Sequence, residues 1–277
     1  QKKMKTAPAW DPKDMKYTYP LTDGMQAFNV QPSSKTDSMD LVRICVFLLL
    51  HVIAVAYGPS TFSWEALSLC LVLSVVLQTL GNSLSYHRQL SHRSFECPKP
   101  LEYFFAWCGV LNMQGNPVWW AMKHSWHHKF SDTAWDPHTP REGLWTAHAG
   151  WYFEEERTKA KMPKAIAAAR TNIREDPSDK EAWNLVPWFY KESPEFYDWL
   201  RQTYYLHQIG QVAVLYLLGG WSYVVWGFVI RYLLVVHGWA TINSLSHVWG
   251  EQPFRSRDDS KNNLLVALLA SGEGWHN

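Results

Sequence analysis

The sequence has almost no net charge, few cysteines and no zinc-protease signature. With 26 basic and 25 acidic side chains the formal net charge is +1, so it lacks the basic footprint of a nucleic-acid binder. The four cysteines, Cys45, Cys70, Cys97 and Cys108, form no C-x-x-C pair, which argues against a zinc ribbon or a dithiol redox motif. Three of them lie in apolar text, where a thiol packs as a small hydrophobe. H-E-x-x-H, the usual metalloprotease helix, is absent. Residues 1–40 carry no secretory apolar core. They are rich in Lys, Pro and Ser without sustained periodicity, and read as a loop-like lead-in on the aqueous side.

What is abundant is aromatic and apolar. The 17 Trp and 13 Tyr are residue types that favour the membrane–water boundary. Leu41 to Tyr57 is an apolar run near the short limit for a membrane-crossing helix, and Ala66 to Tyr86 is a second of spanning length. Gly58-Pro59-Ser60 turns the chain between them. Leu206 to Gly219 and Tyr223 to Ile242 read as a second hairpin, turning at Gly219 to Ser222. Both tight turns lack Lys and Arg, whereas Tyr86 to Tyr205 holds 15 of the 26. The positive-inside rule then puts both hairpin tips on the non-cytoplasmic side and everything between the hairpins on the other.

Leu101 to Gln114 is aromatic and too short to span, and reads as an interfacial helix, with a buried core helix as the competing placement. Glu154 to Leu200 is the most polar stretch and reads as aqueous structure, helical around Lys164 to Ile173. Arg231 and His237 interrupt the last span; polar groups there are costly in lipid and are expected to face protein or a cavity. The fold class is therefore all-α integral membrane, one domain over 1–277. It divides into lead-in 1–40, first hairpin 41–86, polar cap 87–205, second hairpin 206–242 and a final region 243–277.

Histidines are concentrated where the cap begins. His87 and His92 follow the second span, and His124, His127 and His128 fall within HSWHH, so five of the twelve lie in one short stretch. Imidazole is a preferred ligand for iron, zinc, copper and nickel. Residues three and four apart share a helix face, so the rings of the second burst can aim at one point. His87 and His92 are five apart, out of phase on an ideal helix. They converge only at a helix end, at a local irregularity or on two different metals. Asn243 and His247 are four apart beyond the last span, and His276 lies in GEGWHN. His51, inside the first span, with His148, His207 and His237, reads as structural.

Taken together, H-x4-H, H-x-x-H-H, N-x3-H and GEGWHN resemble the membrane fatty acyl desaturases, closest to the Δ9-type group. HRSF, HHKFSDT, DPHTPREG and INSLSH agree with that resemblance, which covers about Leu41 to Asn277. The family implies four membrane helices in two hairpins and a cytosolic-side helical cap carrying a histidine-rich di-iron site. There O2 is used to remove two hydrogens from a fatty acyl chain. By resemblance His87, His92, His124, His127, His128, His247 and His276 are iron ligands, and Asn243 is a ligand acting through water. The counterpart of His138 in the DPH turn is not a ligand. An apolar tunnel lined by Trp107, Trp119 and Trp120 is expected to hold the acyl chain. The electron donor is expected to be a separate cytochrome b5 or ferredoxin, in endoplasmic reticulum or plastid membranes respectively.

Two departures from the family pattern stand out. The last box of the family reads H-x-x-H-H, and this sequence stops at Asn277, so it reads as C-terminally truncated within that box. Ser125 stands where relatives commonly carry Arg, and Asn116 and Trp119 where they commonly carry acidic residues, near the head-group end of the substrate. That favours a glycerolipid-bound acyl group over acyl-CoA. A related hydroxylase or acetylenase would use the same boxes. A haem-binding membrane protein would instead need paired histidines inside the spans, where most of these do not lie.

Overall fold

The computed structural model describes residues 38–162, 185–256 and 258–277. The lead-in over 1–37 and the helix expected at 164–173 lie outside the described residues. Among the described residues every extended element is helical, and strand-like pairing is confined to the bridges Glu251–Asn262 and Asn262–Trp275.

Three helical stretches are long and apolar enough to cross a membrane: Asp40–Tyr57, Trp64–Ser91 and Tyr204–His247. The first belongs to α1 (Ser38–Tyr57) and the second begins as α2 (Trp64–Leu77). The Ser63 hydroxyl starts α2 by accepting the Ala66 N–H at 3.1 Å, satisfying one of the donors that a helix start leaves without a partner. The helix does not stop near Tyr86. From Gln78 to Ser91 it continues in a wider form with i→i+5 hydrogen bonds, a form usually confined to single turns at functional sites.

The third stretch is α8 (Tyr204–Val224), a wide segment Val225–Ile230, and α9 (Arg231–Ser244). Its helical path is broken at Gly219 and Gly220, and Gly220 takes φ +62°, a left-handed conformation natural only to glycine. The chain doubles back there. Leu215 packs on Gly227, and Gln211 Oε1 accepts from Arg231 Nη2 at 2.9 Å. Ser222 Oγ donates to Thr61 O at 2.6 Å, joining this turn to the one between α1 and α2.

Arg231 is fully buried among these helices. It donates to Gly227 O, Asn112 Oδ1, Leu111 O and Gln211 Oε1. The expensive cation thus faces protein, as expected, and its donors are satisfied by amide and carbonyl oxygens.

The cap comprises α3 (Lys99–Leu111), α4 (Pro117–Phe130), α5 (Glu155–Ala160), α6 (Trp188–Glu192) and α7 (Pro194–Gln202). The short α10 (Leu264–Leu269) follows near the C-terminal end. The cap core is aromatic, built from Tyr86, Trp120, Trp126, Phe189 and Tyr197 with Leu90, Val110 and Leu200. Helix α3 combines the two placements expected for it. Ala106, Gly109 and Val110 are buried, while Leu101 and Phe104 are exposed. It lies hard against the wide end of α2: a Cβ on Gly81 would strike the backbone of Cys108 and Gly109.

Candidate metal centre

The wide helix decides the geometry of the first box. His92 N donates to His87 O at 3.1 Å, an i→i+5 bond, so residues five apart stack on one face. The two rings meet at a centroid distance of 4.6 Å. Of the three ways these histidines could converge, the local irregularity is the one observed.

Helix α4 begins with Asn116 accepting the Trp119 N–H at 2.9 Å and Pro117 in its first turn, where a missing N–H costs nothing. At about 100° per residue, His124 and His128 are 40° apart, while His127 sits about 100° from His128. The second burst therefore divides instead of aiming at one point. His87, His92, His124 and His128 form one set, and His127, His247 and His276 another, each with ligand atoms within 4.8 Å of one another.

In the first set, His124 Nε2 lies 3.0 Å from both His92 Nε2 and His128 Nε2. In the second, His247 Nε2 and His276 Nε2 are 3.1 Å apart. A metal–imidazole bond of about 2.0–2.1 Å separates two ligand nitrogens at a right angle by about 3 Å. Converging Nε2 atoms at this spacing fit a first-row metal ion in each set. The two sets adjoin, with His127 and His128 ring centroids 5.5 Å apart.

Three carboxylates hold the other ring nitrogens. Asp136 Oδ1 is 2.9 Å from His127 Nδ1, Asp132 Oδ2 is 2.7 Å from His247 Nδ1, and Glu273 Oε2 is 2.7 Å from His87 Nδ1. The hydrogen bonds to His127 and His247 fix the tautomer that leaves Nε2 free to ligate and raise the ligand's basicity, and Glu273 stands at ion-pair distance from His87. The carboxylates are themselves anchored. Asp132 accepts from Asp259 N and Thr139 Oγ1, and Asp136 from the Asp132 and His138 amides. Glu273 accepts from the Ser83 hydroxyl and pairs with Arg88 at 3.1 Å.

Asp132, in HHKFSD, takes the left-handed conformation (φ 57°) that aspartate tolerates better than most residues. The grouping His127, Asp136 and His138 also brings donors together. With both Asp136 oxygens already engaged, it reads as part of this orienting network.

Burial would raise the carboxyls of Asp132, Asp136 and Glu273. The neighbouring histidines outweigh it, helped by backbone amides at Asp132 and Asp136 and by Ser83 and Arg88 at Glu273, and hold all three below the ordinary range. Desolvation, and then the neighbouring rings, hold His124 and His276 well below the usual imidazole value. The same causes push His128 down to about 3, although its outer edge is exposed. His124, His128 and His276 are therefore neutral near pH 7, the form a metal requires.

A cleft open in part to solvent, with about 810 Å³ of space in all, adjoins this centre at His124. Its wall includes Trp120, Asn243, Lys123, Trp151, Phe47, His148 and His237. Lys123 Nζ sits 3.5 Å above the Trp151 ring and 4.7 Å from that of Trp119, a cation–π arrangement. Trp119 and Trp120 thus line the cleft. Asn116 does not; its side chain caps α4. Trp107 lies on the outer face of α3 and donates to His207 Nδ1 at 3.3 Å.

The remaining histidines behave differently from the ligand sets. His237 Nε2 lies 3.1 Å from His51 Nε2, while its Nδ1 lies 3.0 Å from His148 Nε2. The outer nitrogens reach Phe47 O at 2.8 Å and Ser244 Oγ at 3.0 Å. The central ring uses opposite edges, so the three form a chain and do not converge on one ion. Sequence reasoning missed the roles of Asp132, Asp136 and Glu273. Their only signal was position inside the box motifs.

Apolar helices of membrane-crossing length that carry carboxylate-oriented histidines to one end define a helical membrane metalloprotein. Residues 62–277 match the family model "Fatty acid desaturase", and the chain belongs to that family of oxidoreductases. It is 40% identical over 243 residues to an acyl-CoA C20 Delta5-desaturase of Anemone leveillei, covering 88% of this chain and 71% of that one. It is 39% identical to a chloroplastic palmitoyl-monogalactosyldiacylglycerol delta-7 desaturase of Arabidopsis thaliana, covering 87% and 59%. To an sn-1 stearoyl-lipid 9-desaturase of Synechocystis it is 37% identical, covering 84% and 67%.

Proposed function

We propose that this protein is an O2-dependent acyl desaturase of Δ9 type that introduces a cis double bond into a saturated chain carried on a glycerolipid. The observation that carries the reading is the pair of adjoining Nε2-converging histidine sets, one of which places His124 on the wall of a cleft lined with aromatic residues. His87, His92, His124 and His128 would hold one iron ion, and His127, His247 and His276 the other. Asn243, on the cleft wall beside His124, would act through water. Bound there, two irons would supply the one-electron steps with O2 that side chains lack.

The protein's own part is to hold and orient. The three carboxylates fix ring direction, and Trp120, stacked on His124 with centroids 4.7 Å apart, limits water at the centre. The cleft aligns one methylene pair of the chain. Relatives are named for both carriers, and the uncharged Asn116, its side chain capping α4, supports the lipid carrier over CoA.

The break at Gly219–Gly220 and the turn between α1 and α2 support four spans in two hairpins, with the metal centre on the cytosolic side. In an endoplasmic reticulum membrane the separate electron donor would be cytochrome b5, and in a plastid membrane ferredoxin.

Expression in a desaturase-deficient host, with acyl chains analysed by head group, tests this directly. Monounsaturated chains enriched in one glycerolipid class are the expected result. Unsaturation appearing first in acyl-CoA would overturn the carrier assignment. Hydroxylated or acetylenic products would assign the related chemistry instead.

A further inference from the structure

Helix α10 is apolar on every side: LLVALL contains no polar residue. Val266 and Ala267 are buried, yet Leu264, Leu265 and Leu268 are 62%, 60% and 75% exposed. A helix apolar all round belongs in a core or in lipid, and this one has a core on one side only.

Its depth follows from two independent contacts. Gln78 Nε2 donates to Leu269 O at 2.9 Å and to Ser271 Oγ at 3.2 Å, and Gly238 of α9 lies against Leu269 O. Trp64 and Trp221, both largely exposed, mark the joined hairpin tips, where interfacial tryptophans sit. At 1.5 Å per residue, Gln78 stands about 21 Å from Trp64, and Gly238 roughly 25 Å from Trp221. A hydrocarbon layer is about 30 Å thick. Both measures put the C-terminal end of α10 inside it. The exposed Val75 and Val76 of α2 and Leu234 of α9, one turn nearer the tips, make the leucine face continuous with the lipid-facing sides of those helices. Backbone carbonyls at such depth need internal donors, and the Gln78 amide supplies one.

We propose that α10 is a lipid-inserted helix whose exposed leucines contact the acyl chains of the bilayer, anchoring the last histidine box from the side. The segment is laced to that box. Asn263 N donates to Gly274 O at 2.8 Å and Gly272 N to Ala267 O at 2.8 Å, which fixes the loop bearing Glu273 and His276. The proposal rests on the reading of the apolar helices as membrane spans and is independent of the reaction catalysed.

The test uses the whole protein in phospholipid nanodiscs, with the photo-crosslinking residue p-benzoylphenylalanine at Leu268, at Val72 on α2, or at the exposed, polar Gln252. Mass spectrometry should find phospholipid adducts at Leu268 and Val72 and none at Gln252. Adducts at Val72 without any at Leu268 would overturn the proposal while leaving the spans intact. Absence at both would overturn the span reading and the proposal with it. As a second measurement, Leu268→Asp removes no buried contact. If α10 is inserted, amide exchange over 264–277 should accelerate by about tenfold or more; unchanged exchange would place α10 in water and contradict the proposal.

Discussion

At the scale of single residues, the division of labour is between nitrogens that converge and carboxylates that aim them. His124 is the pivot of its set, 3.0 Å from two other Nε2 atoms. His124→Ala should abolish unsaturated product and lower iron per chain measured by elemental analysis. His148→Ala, in the chain that does not converge, should leave iron content unchanged. Glu273→Gln retains shape and hydrogen bonding but removes the charge beside His87. Loss of such an outer partner typically weakens metal affinity by about 10–100-fold, which a chelator competition would measure. Undiminished affinity would show that Glu273 does not orient His87.

At the scale of elements, the wide helix from Gln78 to Ser91 and its contact with α3 set the position of the first box. A methyl group on Gly81 meets backbone at Gly109, which cannot rotate away. Gly81→Ala should therefore cost about 1–3 kcal/mol or more, seen as a lower melting midpoint in detergent, with iron retention falling alongside. This is also where the sequence was hardest to read. The apolar runs and the spacing in HSWHH carry their own periodicity, so the spanning helices and the box helix could be located without tertiary information.

A switch from i→i+4 to i→i+5 bonding has no residue signature, and so His87 and His92 looked out of phase. The sharing of His124, His127 and His128 between two sets depends on what faces α4, which periodicity does not encode. The carboxylate partners escaped notice because Asp132 meets His247 across 115 residues and Glu273 reaches Ser83 across 190. Helix α10 is too short to register as a membrane element on length alone.

At the scale of the whole molecule, protonation of the lowered imidazoles and carboxyls is coupled to folding in one direction. An imidazole held below its ordinary value stays neutral in the folded chain while the unfolded chain takes up a proton, so stability falls as pH drops below about 6.5. For His128 that window extends down to about 3. The lowered carboxyls of Asp132, Asp136 and Glu273 add stability that is present above about pH 4 and lost as pH falls through their folded values. Both groups act in the same sense. Metal-free protein should melt at a lower temperature at pH 5 than at pH 7.5, and a midpoint independent of pH across that range would contradict the assignment. With metal bound, acidification should also release it, since protons compete for the same nitrogens.

The chain of Phe47 O, His51, His237, His148 and Ser244 has a further consequence when its hydrogens are counted. Four contacts need four hydrogens, and three neutral imidazoles carry three. Ser244 Oγ also donates to Ala240 O at 2.9 Å. While it does so, the row closes only with one of the three rings doubly protonated, giving the trio a positive charge. If one proton leaves the row and the hydroxyl hydrogen swings toward His148, every bond runs from Ser244 to Phe47 and the trio is neutral. One arrangement of heavy atoms thus accommodates two charge states beside the cleft, which differ by one proton and by the direction of a single serine hydroxyl.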